Sequence, residues 1–155
     1  MLPIGHIGDE CVGLPRESNF SHAEQMTLLS YCSLLPSPLM LGADVRKLNA
    51  WTRALLTNPE VLAVNQDSLG AAMFCAAHGQ GYEVWAKPLA DGSLAVGLFN
   101  LGNDDAPVKA TWGALKITGE RNVRNLWLHK DLGRITGQFE TIVKSHGAIL
   151  IRLNR

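Results

Sequence analysis

The sequence predicts a chain of two parts, an α/β segment followed by an antiparallel β-sandwich. Three observations carry that reading. Residues 1–66 run strand, helix, strand, helix, with apolar strands and capped helices. The pattern changes near Gly70, beyond which no helical period recurs. From Tyr82 onward, short apolar or alternating runs are separated by glycine- and asparagine-containing turns, as in a sandwich.

Met1 to Ile7 is an apolar run interrupted by Gly5 and closed by Gly8, read as a short buried strand. Asp9 to Asn19 is a charged loop holding Gly13 and Pro15. Ser21-His22-Ala23-Glu24 is a capping box. The serine oxygen accepts from the amide of Glu24, and the glutamate reaches back to the amide of Ser21. The helix it starts runs from His22 to about Leu35, is apolar on more than one side, and ends at Pro36 and Pro38. Leu39-Met40-Leu41, closed by Gly42, reads as a second buried strand, with Asp44 just after it. Asn49 caps a helix through Ala50 to Leu56. Asn58-Pro59 sets a cap before a proline at the first helical position, and a further turn or two follows through Val61, Leu62 and Val64.

Ala71 to Ala77 is apolar and lacks helical character. Gly79-Gln80-Gly81 is a turn, and Tyr82 to Lys87 alternates. Asp91-Gly92 signals a two-residue hairpin, with Ser93 to Phe99 returning. Val108 to Trp112, Val123 to Leu128, Gln138 to Lys144 and Ala148 to Leu153 complete the strands. Gly102-Asn103-Asp104, Asp131-Leu132-Gly133 and Ser145-His146-Gly147 read as the turns between them.

Composition narrows the function classes. Lysine plus arginine is 14 and aspartate plus glutamate is 14, so net charge is zero, unlike the basic face of a nucleic-acid binder. No apolar run approaches the roughly 18 residues of a membrane-spanning helix. Met1 to His6 has neither the basic nor the apolar region of a signal peptide, and the compartment is left open. Residues 1–77 carry net charge −3 and residues 78–155 carry +3, so the halves attract weakly. Cys11, Cys32 and Cys75 form no CxxC pair, which disfavours a zinc ribbon or a thioredoxin-like site. Cys32 and Cys75 lie in apolar runs and are expected to be buried thiols, with one disulfide left open. GxSxG, HExxH and P-loop motifs are absent.

Two parallel strands with two helices do not make a stable sheet alone, so residues 1–66 look like the end of something larger. Four stretches then resemble the C-terminal part of the melibiase-type α-galactosidases, glycoside hydrolase family 27. Met1-Leu2-Pro3-Ile4-Gly5 is similar to that family's seventh barrel strand. Glu24-Gln25-Met26-Thr27 with Pro38 to Asp44 is similar to its seventh helix and eighth strand. Leu55 to Gly70, above all Asn65-Gln66-Asp67-Ser68-Leu69-Gly70, resembles its end-of-barrel signature. Val123-Arg124-Asn125-Leu126-Trp127, Lys130-Asp131-Leu132-Gly133 and Ser145-His146-Gly147-Ala148 resemble its C-terminal β domain. The longer loop Asp9 to Asn19 is similar to bacterial variants.

The resemblance implies that residues 1–69 are the last two βα units of a (β/α)8 (TIM) barrel and that residues 70–155 are the sandwich domain. A complete barrel needs about 250 residues, more than this chain holds. It also implies retaining hydrolysis of terminal α-linked galactose or N-acetylgalactosamine, with two carboxyl groups about 5–5.5 Å apart. In the family these are aspartates on the fourth and sixth strands, neither of which has a counterpart here, so the chain alone is expected to be inactive. No metal or organic cofactor is implied. The expected partner is an α-galactoside in a complete enzyme, with no nucleic acid and no membrane. A homodimer would hide apolar surface left open by the missing barrel. The alternative is a non-catalytic sandwich module, carbohydrate-binding or structural, or a truncated inactive product.

Individual residues carry competing readings. Met1 aligns with a family methionine lining the sugar pocket, and His6 lies where a strand end could touch substrate hydroxyls, beside Asp9 and Glu10. Against that, His6 is read as an ordinary surface-loop residue. Asp44 is expected to cap the following turn, and Asp67 to shape the handover through its side chain. Trp51, Trp85, Trp112 and Trp127 could stack on sugars if exposed, but packing is the expected role.

Overall fold

The computed structural model of the protein describes residues 1–8 and 14–155. The early loop thus falls partly outside the described residues, as do Asp9, Glu10 and Cys11. Its described part supplies a two-residue strand, β2 (Arg16–Glu17), antiparallel to β1 (His6–Ile7). The expected buried strand over residues 1–7 shrinks to β1 and a single parallel bridge, Leu2 to Leu41. With only one partner segment beside it, the run Met1 to Gly5 has no ladder to extend.

The helices follow local chemistry. Helix α1 (His22–Leu34) starts with the full capping box on Ser21 and Glu24. Asp44 caps a single 3-10 turn at Val45–Lys47, as expected. Asn49 caps α2 (Ala50–Leu56), and Asn58 caps α3 (Pro59–Asn65) by accepting from the amides of Glu60 and Val61. No helix among the described residues is long and apolar enough to cross a membrane.

The strands β3 (Phe74–Gly79), β4 (Tyr82–Pro88), β5 (Leu94–Asn100), β7 (Glu120–Asn125), β8 (Lys130–Thr136) and β10 (Ala148–Asn154) form one antiparallel sheet in the order β3-β4-β5-β10-β7-β8. Strands β6 (Ala106–Thr111) and β9 (Gln138–Val143) pair as a second sheet. Two readings are corrected here. Asp131-Leu132-Gly133 is not a turn but part of β8, which bulges against β7 between Val123 and Arg124. Strand β8 is an edge strand exposed along nearly its whole length, so it lacks the alternation by which strands are recognised. The Asp91-Gly92 hairpin is longer than two residues: Leu89 donates its amide to Ser93 at 3.0 Å, which leaves Ala90, Asp91 and Gly92 as the loop. Gly92 sits at φ 80°, the left-handed residue that a three-residue loop requires.

The large sheet is buried on both faces at its centre. Leu94, Val96 and Leu98 of β5 point into the sandwich core with Val108, Trp112 and Ile151. Ala95 and Phe99 point the other way, onto Leu29 and Leu34 of α1, with Leu150 of β10 beside them. Gly97 permits that approach, because a Cβ there would stand 2.9 Å from the Leu34 side chain and 2.5 Å from the Phe99 ring. Tyr31 of α1 meets Phe99 and Trp85 edge-on, with ring centroids 5.6 and 6.0 Å apart.

Candidate functional site

The first part of the chain presents a groove beside the Leu2–Leu41 bridge. Leu2 donates its amide to Met40 at 2.6 Å, and Gly42 donates to Leu2 at 3.0 Å. Gly42 lies close against Met1, since a Cβ there would stand 3.2 Å from the Met1 Cβ. The groove holds about 450 Å³ and is lined by Met1, Gly8, Leu41, Gly42, Asp44 and Arg46, among others. Met1 is 88% exposed, so its thioether is available to whatever enters.

Asp44 is the carboxylate among the groove's described lining residues. It is committed to Arg46, which donates Nε to Oδ1 and Nη2 to Oδ2, both at 2.9 Å. The Arg46 side chain and amide hold the Asp44 carboxyl down at about 2. A carboxylate so held stays ionised and is unsuited to donate a proton near neutral pH.

His6 is not brought into the groove with Met1. Its backbone oxygen accepts from Asp44 at 2.9 Å, but its ring turns to β2, with Nδ1 3.1 Å from Glu17 Oε1. Its Nε2 is buried and has no partner among the described residues. Of the two sequence-predicted site residues, Met1 lines the groove and His6 is not among its lining residues. Among the described residues no group of three His, Cys, Asp or Glu side chains could hold a metal ion.

The junction of the two parts carries a run of polar bonds. Arg124 of β7 donates Nε and Nη2 to the Glu60 carboxylate of α3, both at 2.7 Å. Its Nη1 also lies 3.2 Å from Asp131, and His129 Nδ1 lies 2.7 Å from Glu60 Oε1. Chiefly through Arg124, the Glu60 carboxyl is lowered to about 2. Asn58 donates to the Leu126 carbonyl at 3.1 Å while capping α3. Asn65 donates to the Ser37 carbonyl at 2.9 Å. Asp67 accepts from the amides of Leu69 and Ala90, the structural role expected of it. Lys87, wholly buried, donates to the Val64 carbonyl at the end of α3 at 2.7 Å. Burial pushes its ammonium below the ordinary lysine value. Asn58, Glu60, Val64 and Asp67 thus tie the end of the α/β part to the sandwich, while Asn65 ties α3 to the segment after α1. Sequence reading named Glu60 and Arg124 only within motifs and gave Lys87 no role; it did not find their pairings, which join residues far apart in the chain.

The tryptophans are engaged rather than open. Trp51 stacks on His22 at 3.6 Å, Trp112 is buried and donates to Gly119, and Trp127 donates to Ser30 at 2.9 Å. Trp85 packs on Tyr31 and donates to Glu83 at 2.7 Å. The thiols differ from expectation: Cys32 is half-buried, and Cys75 is exposed on the edge strand β3. An edge strand with one open face leaves an apolar run unburied, which composition alone does not reveal.

Comparison with known proteins fits this architecture. Residues 79–153 match the α-galactosidase C-terminal β-sandwich domain. The chain is 33% identical to α-galactosidase 2 of Arabidopsis thaliana over all of its own length and 37% of the relative's. It is 38% identical to an α-galactosidase of Oryza sativa subsp. japonica over 81% of this chain and 30% of that one. Its fold matches a family 27 β-L-arabinopyranosidase from Geobacillus stearothermophilus with TM-score 0.90 and 32% identity, covering 99% of this chain and 36% of that one. The chain therefore spans well under half the length of these relatives. They include plant and bacterial proteins, so a bacterial source gains no support from them. By sequence and fold, the chain belongs to glycoside hydrolase family 27 and corresponds to the C-terminal part of its α-galactosidases.

Proposed function

We propose that this chain is the C-terminal portion of a retaining α-galactosidase-type glycosidase, acting on terminal α-linked galactose or N-acetylgalactosamine. Residues 1–69 are the last two βα units of its (β/α)8 barrel, and residues 70–155 are the sandwich that braces them. The observation that carries this reading is the Leu2–Leu41 parallel bridge, with α1 between its two segments in the chain and α2 after them, as in a βαβα unit. Met1 stands on the exposed groove beside that bridge and contacts the sugar when the barrel is complete. His6 lies one hairpin away and holds Glu17 at the rim. The nucleophile and acid come from strands outside this chain, and the chain alone does not turn over substrate. In isolation it covers its open strand edge by forming a homodimer. The tryptophan contacts favour this bracing role over a free sugar-binding module.

The test is an assay of purified residues 1–155 with a chromogenic α-galactoside, alone and with a separately produced N-terminal segment of a family 27 relative ending before its seventh barrel strand. The expected result is no turnover alone and measurable turnover with the segment, reduced by Met1→Ala chiefly through a higher KM. Turnover by the chain alone, abolished by changing one of its own carboxylates, would sink the proposal.

A further inference from the structure

One end of the sandwich holds a polar cavity that the glycosidase reading does not use. It lies between the β6–β7 connection, the β4–β5 hairpin and the end of β10, and holds about 220 Å³. Lys116, Thr118, Arg121 and Arg155 line its polar side, with Leu94 and Leu153 among its apolar residues. Its lining thus contains three cationic residues and no Asp or Glu. The acidic side chains that flank Gly92 and Arg121 in the chain are committed elsewhere. Asp91 accepts from Arg152 and from Ser93, and Glu120 lies 2.8 Å from Arg134. Among the described residues, Lys116, Arg121 and Arg155 enter no salt bridge. The Lys116 ammonium lies 5.6 Å from the Phe74 ring centroid.

Arg121 is the least exposed of these three cations. Its Nε is shut off from the cavity and has no hydrogen-bond partner among the described residues, so the Nη groups are the ones left to meet an anion. Guanidinium groups are matched by planar carboxylates and by tetrahedral oxyanions, which accept two N–H bonds at once. We propose that this cavity is an anion site for a phosphate group, with Arg121 as the central donor. Arg155 and Lys116 add charge, and Thr118 offers its hydroxyl. Leu94 and Leu153 suit the carbon side of an ester, so the group arrives either as free phosphate or as a sugar phosphate.

The experiment uses the full chain, melted at fixed pH and matched ionic strength in sodium chloride with increasing inorganic phosphate or glucose 6-phosphate. The expected result is a saturable rise in Tm of about 3–5 °C over chloride alone. Arg121→Gln removes the rise, and Arg155→Gln weakens binding by roughly five-fold. Equal saturation by both probes assigns free phosphate, whereas tighter binding of the ester by about ten-fold assigns the sugar phosphate. Calorimetric titration of the wild-type chain and of Arg155→Gln reads the same site if Arg121→Gln does not fold. Absence of a saturable response to either probe, or a response unchanged in the variants, overturns the proposal and leaves a water-filled cavity.

Discussion

The two regions on either side of Gly70 are built on opposite principles. After Gly70, each central strand is flanked by strands on both sides, and the sheet of six closes over the sheet of two around its own core. Before Gly70, one parallel bridge joins two short segments, and α1 is buried partly with Leu2, Ile4, Leu55, Val61 and Val64 of its own part and partly against the sandwich. The lesson is that the α/β part borrows part of its core. Leu29 and Leu34 are buried against Ala95, Phe99 and Leu150, residues that belong to the other region. Polar bonds then lock the loan through Asn58, Glu60, Asp67 and Lys87.

The largest test separates the regions. Residues 70–155 are expected to melt cooperatively with a sheet-rich circular dichroism spectrum, while residues 1–69 show no cooperative transition. A cooperative melt of residues 1–69 would break the comparison. Next in size are core truncations. Leu98→Ala, inside the sandwich, is expected to cost about 3 kcal/mol in the full chain and in residues 70–155 alike, by denaturant unfolding. Leu34→Ala is expected to cost a similar amount, about 3 kcal/mol, in the full chain only, since its partners lie across the junction.

The junction ion pair comes third. Glu60→Gln is expected to lower stability by about 1–2 kcal/mol, because Arg124 and Glu60 are partly shielded but not dry. The sign of its pH dependence follows from a depressed carboxyl. Its contribution is complete above about pH 4.5 and is lost as pH falls toward about 2, the folded value. Melting temperatures of wild type and Glu60→Gln should therefore converge through that window. A gap that stays constant from pH 6 to about pH 2 would remove Glu60 from the clamp. The smallest effect is at the helix start: Ser21→Ala is expected to cost about 1 kcal/mol by opening the capping box of α1.

Much of the local structure was legible in the residues. The caps at Ser21, Asp44, Asn49 and Asn58 stand where they were read, because each bond spans two or three residues and needs no distant partner. Most sandwich strands were legible too, since a half-buried strand displays its period. Strand β8 was not, because an exposed edge carries no such period. Cys75 was misread for a related reason: an apolar run looks the same whether its sheet face is covered or open. Of the candidate site, the capping role of Asp44 was legible, whereas the groove beside Met1 and the turning of His6 toward Glu17 were not.

By itself the sequence determined the elements, their caps, the change of grammar near Gly70 and the kinship with family 27. These depend on short-range bonds and on motifs that lie contiguous in the chain. Only the tertiary structure decided that β5 faces two cores, that Lys87 is buried on the end of α3, and that Arg124 clasps Glu60. Each of these unites residues 23 to 64 positions apart or two faces of one strand. Burial and electrostatics act through space, so such pairings exist only once the sheet and helices have packed.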